Sequence, residues 1–90
     1  MFIVAQHRIT DPPAFWSTVA MAKQLPPGLK LHSTFPSSDG SRAVCLWEAP
    51  SLAAVRDLVE SVVGPFSHNE YFQVSAEQAM GLPASSEAAV

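Results

Sequence analysis

The sequence lacks the motifs of several large enzyme classes. A glycine-rich phosphate loop, a CxxC pair, HExxH and GxSxG are all absent, which argues against nucleotide-binding proteins, zinc fingers, metalloproteases and α/β-hydrolases. There is one cysteine in 90 residues, so an internal disulfide framework is excluded and a reducing compartment is expected. A disulfide between two subunits stays open.

Concentrated positive charge and long apolar runs are also missing. Five Lys and Arg residues against eight Asp and Glu give a formal charge of -3, and the basic residues are scattered singly. Because a nucleic-acid surface requires clustered positive charge, we expect no nucleic-acid partner. No run approaches the roughly 18 apolar residues of a membrane span, and the first ten residues do not resemble a secretory signal. We therefore expect a cytoplasmic protein without a membrane partner.

What the sequence does contain is a succession of strand and helix patterns that predicts one α+β domain over residues 1–80. Residues 81–90 have little to pack and are expected to form a flexible C-terminal tail. Helix starts are indicated by Asp11 before two prolines and by Ser51. The predicted strands are Phe2–Ile9, 29–35, Arg42–Glu48 and 71–75, and the predicted helices are 14–25 and 52–63.

This βαββαβ order predicts a ferredoxin-like fold, in which a four-stranded antiparallel sheet carries both helices on one face. Right-handed crossovers are expected to place the first and third strands side by side and parallel in the middle. The segment 64–69 is expected to be a loop. The other face of the sheet would then be uncovered, and strand parity assigns His32, Cys45 and Trp47 to it.

The uncovered face favours a homodimer, because a chain this short has many large apolar side chains and one thin layer in which to bury them. The aromatic residues are Phe2, Phe15, Trp16, Phe35, Trp47, Phe66, Tyr71 and Phe72.

One hairpin in the sequence suggests a metal site. If its loop spans 36–41, Phe35 lies opposite Arg42 and His32 lies opposite Cys45, with β-carbons roughly 4.5–5.5 Å apart. An imidazole and a thiolate at that distance can share nickel or another transition metal, and His7 could supply a third ligand. Each residue taken alone favours an alternative to metal binding. The cysteine would then be a buried core residue, and the histidine would be hydrogen-bonded to a neighbouring group.

A second candidate site is an aromatic pocket for a small organic ligand. Its candidate residues are Trp16, Trp47, Tyr71 and His68. The indole N–H groups of the two tryptophans each require a hydrogen-bond acceptor, so these two residues are the least expected to be pure core. For most of the aromatic rings the alternative, a place in the core or the dimer interface, is favoured. Glu48 is interpreted as a charge at the rim.

Several short motifs together resemble a small, functionally uncharacterised bacterial family of dimeric α+β-barrel proteins that has a nickel-binding relative. The resemblance covers the second to fourth strands and the second helix, and it implies a homodimer and a nickel site. The wider superfamily also contains cofactor-free monooxygenases, cyclases, haem-degrading enzymes and ligand-sensing domains. The motifs are His32-Ser33, Asp39-Gly40, Cys45, Ala49-Pro50, Ala54-Val55-Arg56, Gly64-Pro65 and a strand that ends near Val74.

The leading functional hypothesis from the sequence is a protein that binds a small ligand or a nickel-type transition metal, with His32 and Cys45 as the principal ligands. The alternative is a cofactor-independent monooxygenase or cyclase that acts on a planar aromatic or polyketide-like substrate, with a histidine as base. That alternative requires an apolar cavity inside each subunit. A third hypothesis is a dimerising interaction module without a small-molecule site.

Overall fold

The computed structural model describes residues 1–22 and 24–84, and it confirms the ferredoxin-like arrangement of four strands and two helices. Within these residues neither helix has the length or the apolar character needed to cross a membrane. The elements in chain order are β1 (Phe2–Ile9), α1 (Pro12–Met21), β2 (Lys30–Pro36), β3 (Arg42–Glu48), α2 (Leu52–Val63), the single 3-10 turn η1 (Gly64–Phe66) and β4 (Ser67–Gln73).

The four strands form one sheet in the order β2-β3-β1-β4, and all neighbouring pairs are antiparallel. The prediction that β1 and β3 lie side by side in the middle is confirmed. The prediction that they run parallel was wrong. After one crossover helix, β2 points in the same direction as β1, and the hairpin that follows reverses the chain, so β3 runs opposite to β1.

The largest differences from the predicted element boundaries lie at the end of α1 and at the start of β4. Helix α1 ends at Met21 because Ala22 is already extended (φ -79°, ψ 91°), several residues before Pro26. The expected loop 64–69 was wrong, since Gly64–Phe66 forms a single 3-10 turn and β4 starts at Ser67. Residues 81–84 of the predicted tail form no helix or strand, and residues 85–90 lie outside the described residues.

One face of the sheet packs against both helices and forms the core. The alternating side chains of β1 that begin at Ile3 are buried, and so are those of β3 that begin at Ala43. The assignment of Cys45 and Trp47 to the uncovered face was therefore wrong, because both lie in this core. The buried apolar residues of the core are Ile3, Ala5, Ile9, Phe15, Ala43, Cys45, Trp47, Ala49, Val55, Val59 and Val63.

The opposite face of the sheet, which we call the open face, is not covered by a helix within residues 1–22 and 24–84. Its central row crosses the sheet in direct register, from Ser33 through Leu46 and Val4 to Phe72. In the next row Phe35 lies opposite Val44, and their exposed fractions are 66% and 40%. The open face thus presents apolar side chains at its centre.

The start of α2 can be tested through its capping residue. The Ser51 hydroxyl accepts a hydrogen bond from the backbone N–H of Ala54 at 3.1 Å, which satisfies one of the free amides of the first turn. Replacing Ser51 by alanine should lower the free energy of unfolding by about 1 kcal/mol in urea denaturation. Ser61→Ala, which removes an exposed hydroxyl bonded only within the helix, is the control and should change it by less than about 0.5 kcal/mol. Equal losses in both variants would contradict the capping role.

Candidate functional site

A cavity of about 130 Å³ lies between the two helices and the sheet. Its walls are mostly apolar, and its mouth lies beside the exposed residues Ala22, Gln24 and Leu25 that follow α1. We call it the helix–sheet cavity. The side chains that line it from the helices and the strands include Phe15, Trp16, Val19, Leu31, Leu58, Val59, Val62, His7, Thr34, Cys45 and Trp47.

The indole N–H of Trp47 is the most distinctive polar group at this cavity. Strand β3 places the side chain on the core face, opposite Ile3, and only 6% of the residue is exposed. Among the described residues, Nε1 has no hydrogen-bond acceptor. A buried donor without an acceptor costs about 1–3 kcal/mol, and an acceptor that reached this nitrogen would recover that cost.

Trp16 borders the same cavity, but its N–H is already satisfied. Nε1 donates to the backbone carbonyl of Gly40 at 3.0 Å, which ties α1 to the turn between β2 and β3. Gly40 adopts a positive φ of 75° in that turn, where a side chain would be strained. The two tryptophans predicted as ligand residues therefore both line the cavity, with only the Trp47 indole N–H lacking an acceptor there.

Cys45 and Thr34 form a second polar pair on the cavity wall. They lie opposite each other on β3 and β2, with the sulfur 3.7 Å from the threonine hydroxyl. Burial raises the pKa of the Cys45 thiol, and the hydrogen bond with Thr34 offsets part of that rise. The thiol is thus protonated at neutral pH, which argues against a nucleophile and favours the core role weighed for this residue.

His7 lies on the core face of β1, borders the cavity and is 5% exposed. Its Nδ1 lies 2.6 Å from the side-chain oxygen of Asn69, its direct partner on β4. The Asn69 amide donates to Glu60 at 2.7 Å, and the Tyr71 hydroxyl donates to the same carboxylate oxygen at 2.5 Å. Tyr71 therefore takes part in a network that orients His7.

Burial sets the charge of His7. It lowers the pKa of the imidazole below 6.5, and the hydrogen bond with Asn69 and the charge of Glu60 offset only part of this effect. In the same network the hydrogen bond from Tyr71, followed by that from Asn69, lowers the pKa of Glu60. A neutral imidazole and an ionised carboxylate are therefore joined through one amide at neutral pH.

This arrangement predicts a loss of stability in mild acid. Below about pH 6.5 the unfolded chain protonates His7 while the folded protein resists, so the free energy of unfolding should fall as the pH decreases from 6.5 toward the lowered pKa. Urea denaturation between pH 7.5 and 5 measures the decline, and His7→Gln should make it shallower. His68→Gln, the same change on the opposite face of the sheet, should leave the decline of the free energy of unfolding with pH as it is in wild type. An unchanged slope in His7→Gln would refute the assignment.

His32 and Cys45 are not neighbours, so the predicted pairing was wrong. Near the turn the observed register differs from the predicted one by two residues, which places Thr34 opposite Cys45. A bulge at His32 then interrupts the pairing of β2 with β3. The bulge puts His32 on the open face, where its Nε2 lies 2.9 Å from a carboxylate oxygen of Glu48. The side chain of Glu48 is 7% exposed, so it is a buried partner of His32 and not a rim charge.

The donors that the sequence suggested for a metal do not form one site within a protomer. His32 lies on the open face, whereas His7 and Cys45 lie on the core face at different strand positions. Across residues 1–22 and 24–84, no group of three His, Cys, Asp or Glu side chains is arranged to hold a metal ion. Nickel binding stays a prediction from the sequence, and its residues do not fit a common nickel centre in this chain.

His68 is separated from the other predicted ligand residues. It lies in β4 and not in a loop, on the open face, opposite Arg8 and exposed. It borders a broad groove of about 810 Å³ at one end of the sheet, together with Arg42 and Glu70. The core-face residues His7 and Asn69 also line this groove. The groove is polar and open, whereas the helix–sheet cavity is apolar and narrow.

Comparison with protein-family models, with curated proteins and with solved structures gave no match for this chain. The resemblance to dimeric α+β-barrel proteins therefore stays an interpretation of short motifs. The geometry of the cavity has to indicate the function by itself.

Sequence reasoning missed Asn69 and Glu60, which orient His7, and Thr34, which pairs with Cys45. A signal for Asn69 was present, since extending the last strand back to Ser67 places it on the same face as Tyr71 and opposite the middle of β1. Glu60 had no comparable signal, because a single carboxylate on the polar side of a helix is ordinarily solvated.

Proposed function

We propose that this protein binds a small single-ring organic ligand in the helix–sheet cavity, with an acceptor atom of the ligand on the indole N–H of Trp47. One observation carries the proposal: Trp47 lines an apolar cavity, and its buried indole N–H has no acceptor among the described residues. A ligand carbonyl there would remove the cost of the unpaired N–H as well as fill apolar space.

The size of the cavity supports one ring. Its volume is about 130 Å³, and an engineered apolar cavity of about 150 Å³ in another protein accepts benzene. Drug-sized ligands and fused polyketides need pockets of about 300–1,000 Å³. The ligand class supported here is therefore a monocyclic carbonyl compound.

Calorimetric titration with benzaldehyde and with toluene tests the proposal. Wild-type protein should bind benzaldehyde about tenfold more tightly than toluene, because the carbonyl adds a hydrogen bond to an otherwise unpaired donor. Trp47→Phe should lose this preference and still bind toluene. Trp16→Phe is the matched control and should keep the preference, since its N–H is already bonded to Gly40. The proposal would be contradicted if benzaldehyde showed no saturable binding, or if Trp47→Phe retained the preference for benzaldehyde over toluene.

A second candidate function is cofactor-independent oxygenation or cyclisation of a planar aromatic substrate. The observation that favours it is a neutral imidazole, His7, on the wall of an apolar cavity. A test uses 1,4-dihydroxybenzene, which with one dioxygen would give 2-hydroxy-1,4-benzoquinone and water. Product formation should be faster with wild type than with His7→Phe. Equal rates in the two proteins, after subtraction of autoxidation, would contradict an enzymatic role.

We also propose that the protein is a homodimer in which the open faces of two copies pack together. Three of the four residues in the central row of the open face are apolar, and the outermost of them, Phe72, is 47% exposed in the single chain. A two-fold axis through this row would set apolar side chains against their own copies. The same axis would keep the Arg8 and Arg42 pair at one end of the sheet away from its counterpart.

A further inference from the structure

The hydrogen-bond network around His7 fixes which of its nitrogens carries the proton. The carboxylate of Glu60 is ionised and can only accept, so Asn69 must present its NH₂ group to Glu60. The amide oxygen of Asn69 is then the atom that faces His7 Nδ1. A neutral imidazole beside an accepting oxygen carries its hydrogen on Nδ1, so its Nε2 is an unprotonated acceptor.

The contact with Asn69 also determines which nitrogen of His7 a ligand can meet. Asn69 lies on β4, and the two nitrogens of an imidazole ring face in roughly opposite directions. His7 lines both the helix–sheet cavity and the groove at the end of the sheet. Because Asn69 holds Nδ1, Nε2 is the ring nitrogen left to meet a ligand in the cavity. Among the hydrogen bonds of residues 1–22 and 24–84, none involves this nitrogen.

Besides the Cys45–Thr34 pair and Gln24, the cavity wall includes a donor on Trp47 and an acceptor on His7 at separate positions. Trp47 lies opposite Ile3, whereas His7 lies four residues farther along β1, a separation of about 14 Å between backbone positions at about 3.4 Å per residue. Both side chains reach into the same space. A ligand that satisfies both must have its acceptor at one end and its donor at the other.

From this complementarity, and resting on the function proposed above, we infer that the ligand is a single-ring phenol with a carbonyl group at the opposite end of the ring. The carbonyl accepts from Trp47 Nε1, and the phenolic hydroxyl donates to His7 Nε2. Asn69 and Glu60 are positioning residues, because they act on the ligand only by holding the imidazole in one tautomer.

Calorimetry with 4-hydroxybenzaldehyde and benzaldehyde at pH 6.5, where the phenol is largely protonated, tests the inference. Wild type should bind the hydroxy compound about five- to tenfold more tightly, and His7→Phe should bind the two equally. His68→Phe, the same exchange on the opposite face, should keep the preference. Equal binding of the two compounds by wild type, or a preference for the hydroxy compound that survives in His7→Phe, would overturn the inference. In either case, saturable binding of benzaldehyde would leave the proposed function standing. Failure of both compounds to bind would overturn both.

A second measurement does not depend on whether His7→Phe folds. Nitrogen NMR of the imidazole groups in wild-type protein distinguishes the two neutral tautomers directly. We expect His7 to carry its hydrogen on Nδ1. A hydrogen on Nε2 would overturn it, because the ligand hydroxyl would then have no acceptor.

Discussion

Replacing Phe15 by alanine should lower the free energy of unfolding by about 3–5 kcal/mol, the usual cost of removing a fully buried aromatic ring. Phe15 is 2% exposed and is the buried residue of α1. Its ring lies with its centroid 4.8 Å from that of Trp16 and 5.5 Å from that of His7. The loss combines the transfer of the ring to water with the void left behind. Urea denaturation followed by circular dichroism measures it.

Met21→Ala is the matched control for Phe15→Ala. Met21 ends the same helix and is 78% exposed, so its truncation should change the free energy of unfolding by less than about 0.5 kcal/mol. A domain of this size has about 5–15 kcal/mol of stability in total, so Phe15→Ala should bring it close to unfolding at 37 °C. A loss below about 1 kcal/mol for Phe15→Ala would mean that α1 does not pack on the sheet as described.

Replacing Leu46 by aspartate should dissociate the proposed homodimer. Leu46 lies in the central row of the open face, opposite Ser33 on one side and Val4 on the other. A two-fold interface would bury one new carboxylate from each copy, and each desolvation costs several kcal/mol. The dissociation constant should rise by at least about a hundredfold, measured by sedimentation equilibrium over a range of protein concentrations.

The control for Leu46→Asp is Ala53→Asp, which adds the same charge to an exposed position of α2 on the other side of the molecule. It should leave the dissociation constant unchanged. Circular dichroism should show both variants folded. A wild-type protein that sediments as a monomer at micromolar concentration would contradict the homodimer, and so would a Leu46→Asp variant that remains dimeric.

The sequence predicted the succession of strands and helices because its local signals are strong. The alternation in β3 and the spacing of apolar residues in α2 gave both elements within a residue of their observed bounds. Directions and register were harder to predict. The relative direction of β1 and β3 follows from the hairpin between β2 and β3, and that inference requires following the chain through three elements.

The candidate site was predicted in its residue types but not in its arrangement. Trp16 and Trp47 of the predicted aromatic pocket border one cavity, whereas Tyr71 and His68 are not among its lining residues. His7, which was predicted as a metal ligand, borders the same cavity. The predicted pairing of His32 with Cys45 fails on a two-residue shift and one bulge. No local pattern marks a bulge in a strand whose side chains are mixed polar and apolar, and a single inserted residue moves a side chain to the opposite face. To predict the sheet face on which Cys45 and Trp47 lie, one would have to know which side of the sheet the helices cover.

The exposure of the last residues of α1 has a consequence for how molecules reach the interior. The first turns of the helix are held by the Asp11 cap and by the bond from Trp16 to Gly40, whereas its last residues border the cavity mouth and are exposed. Fraying of one terminal turn is the least costly opening motion of a short helix. A ligand would thus enter and leave through that fraying end while the sheet and the rest of the helices stay in contact. The residence time of the ligand would then depend on the sequence just after α1. Its affinity would depend on the cavity walls deeper inside.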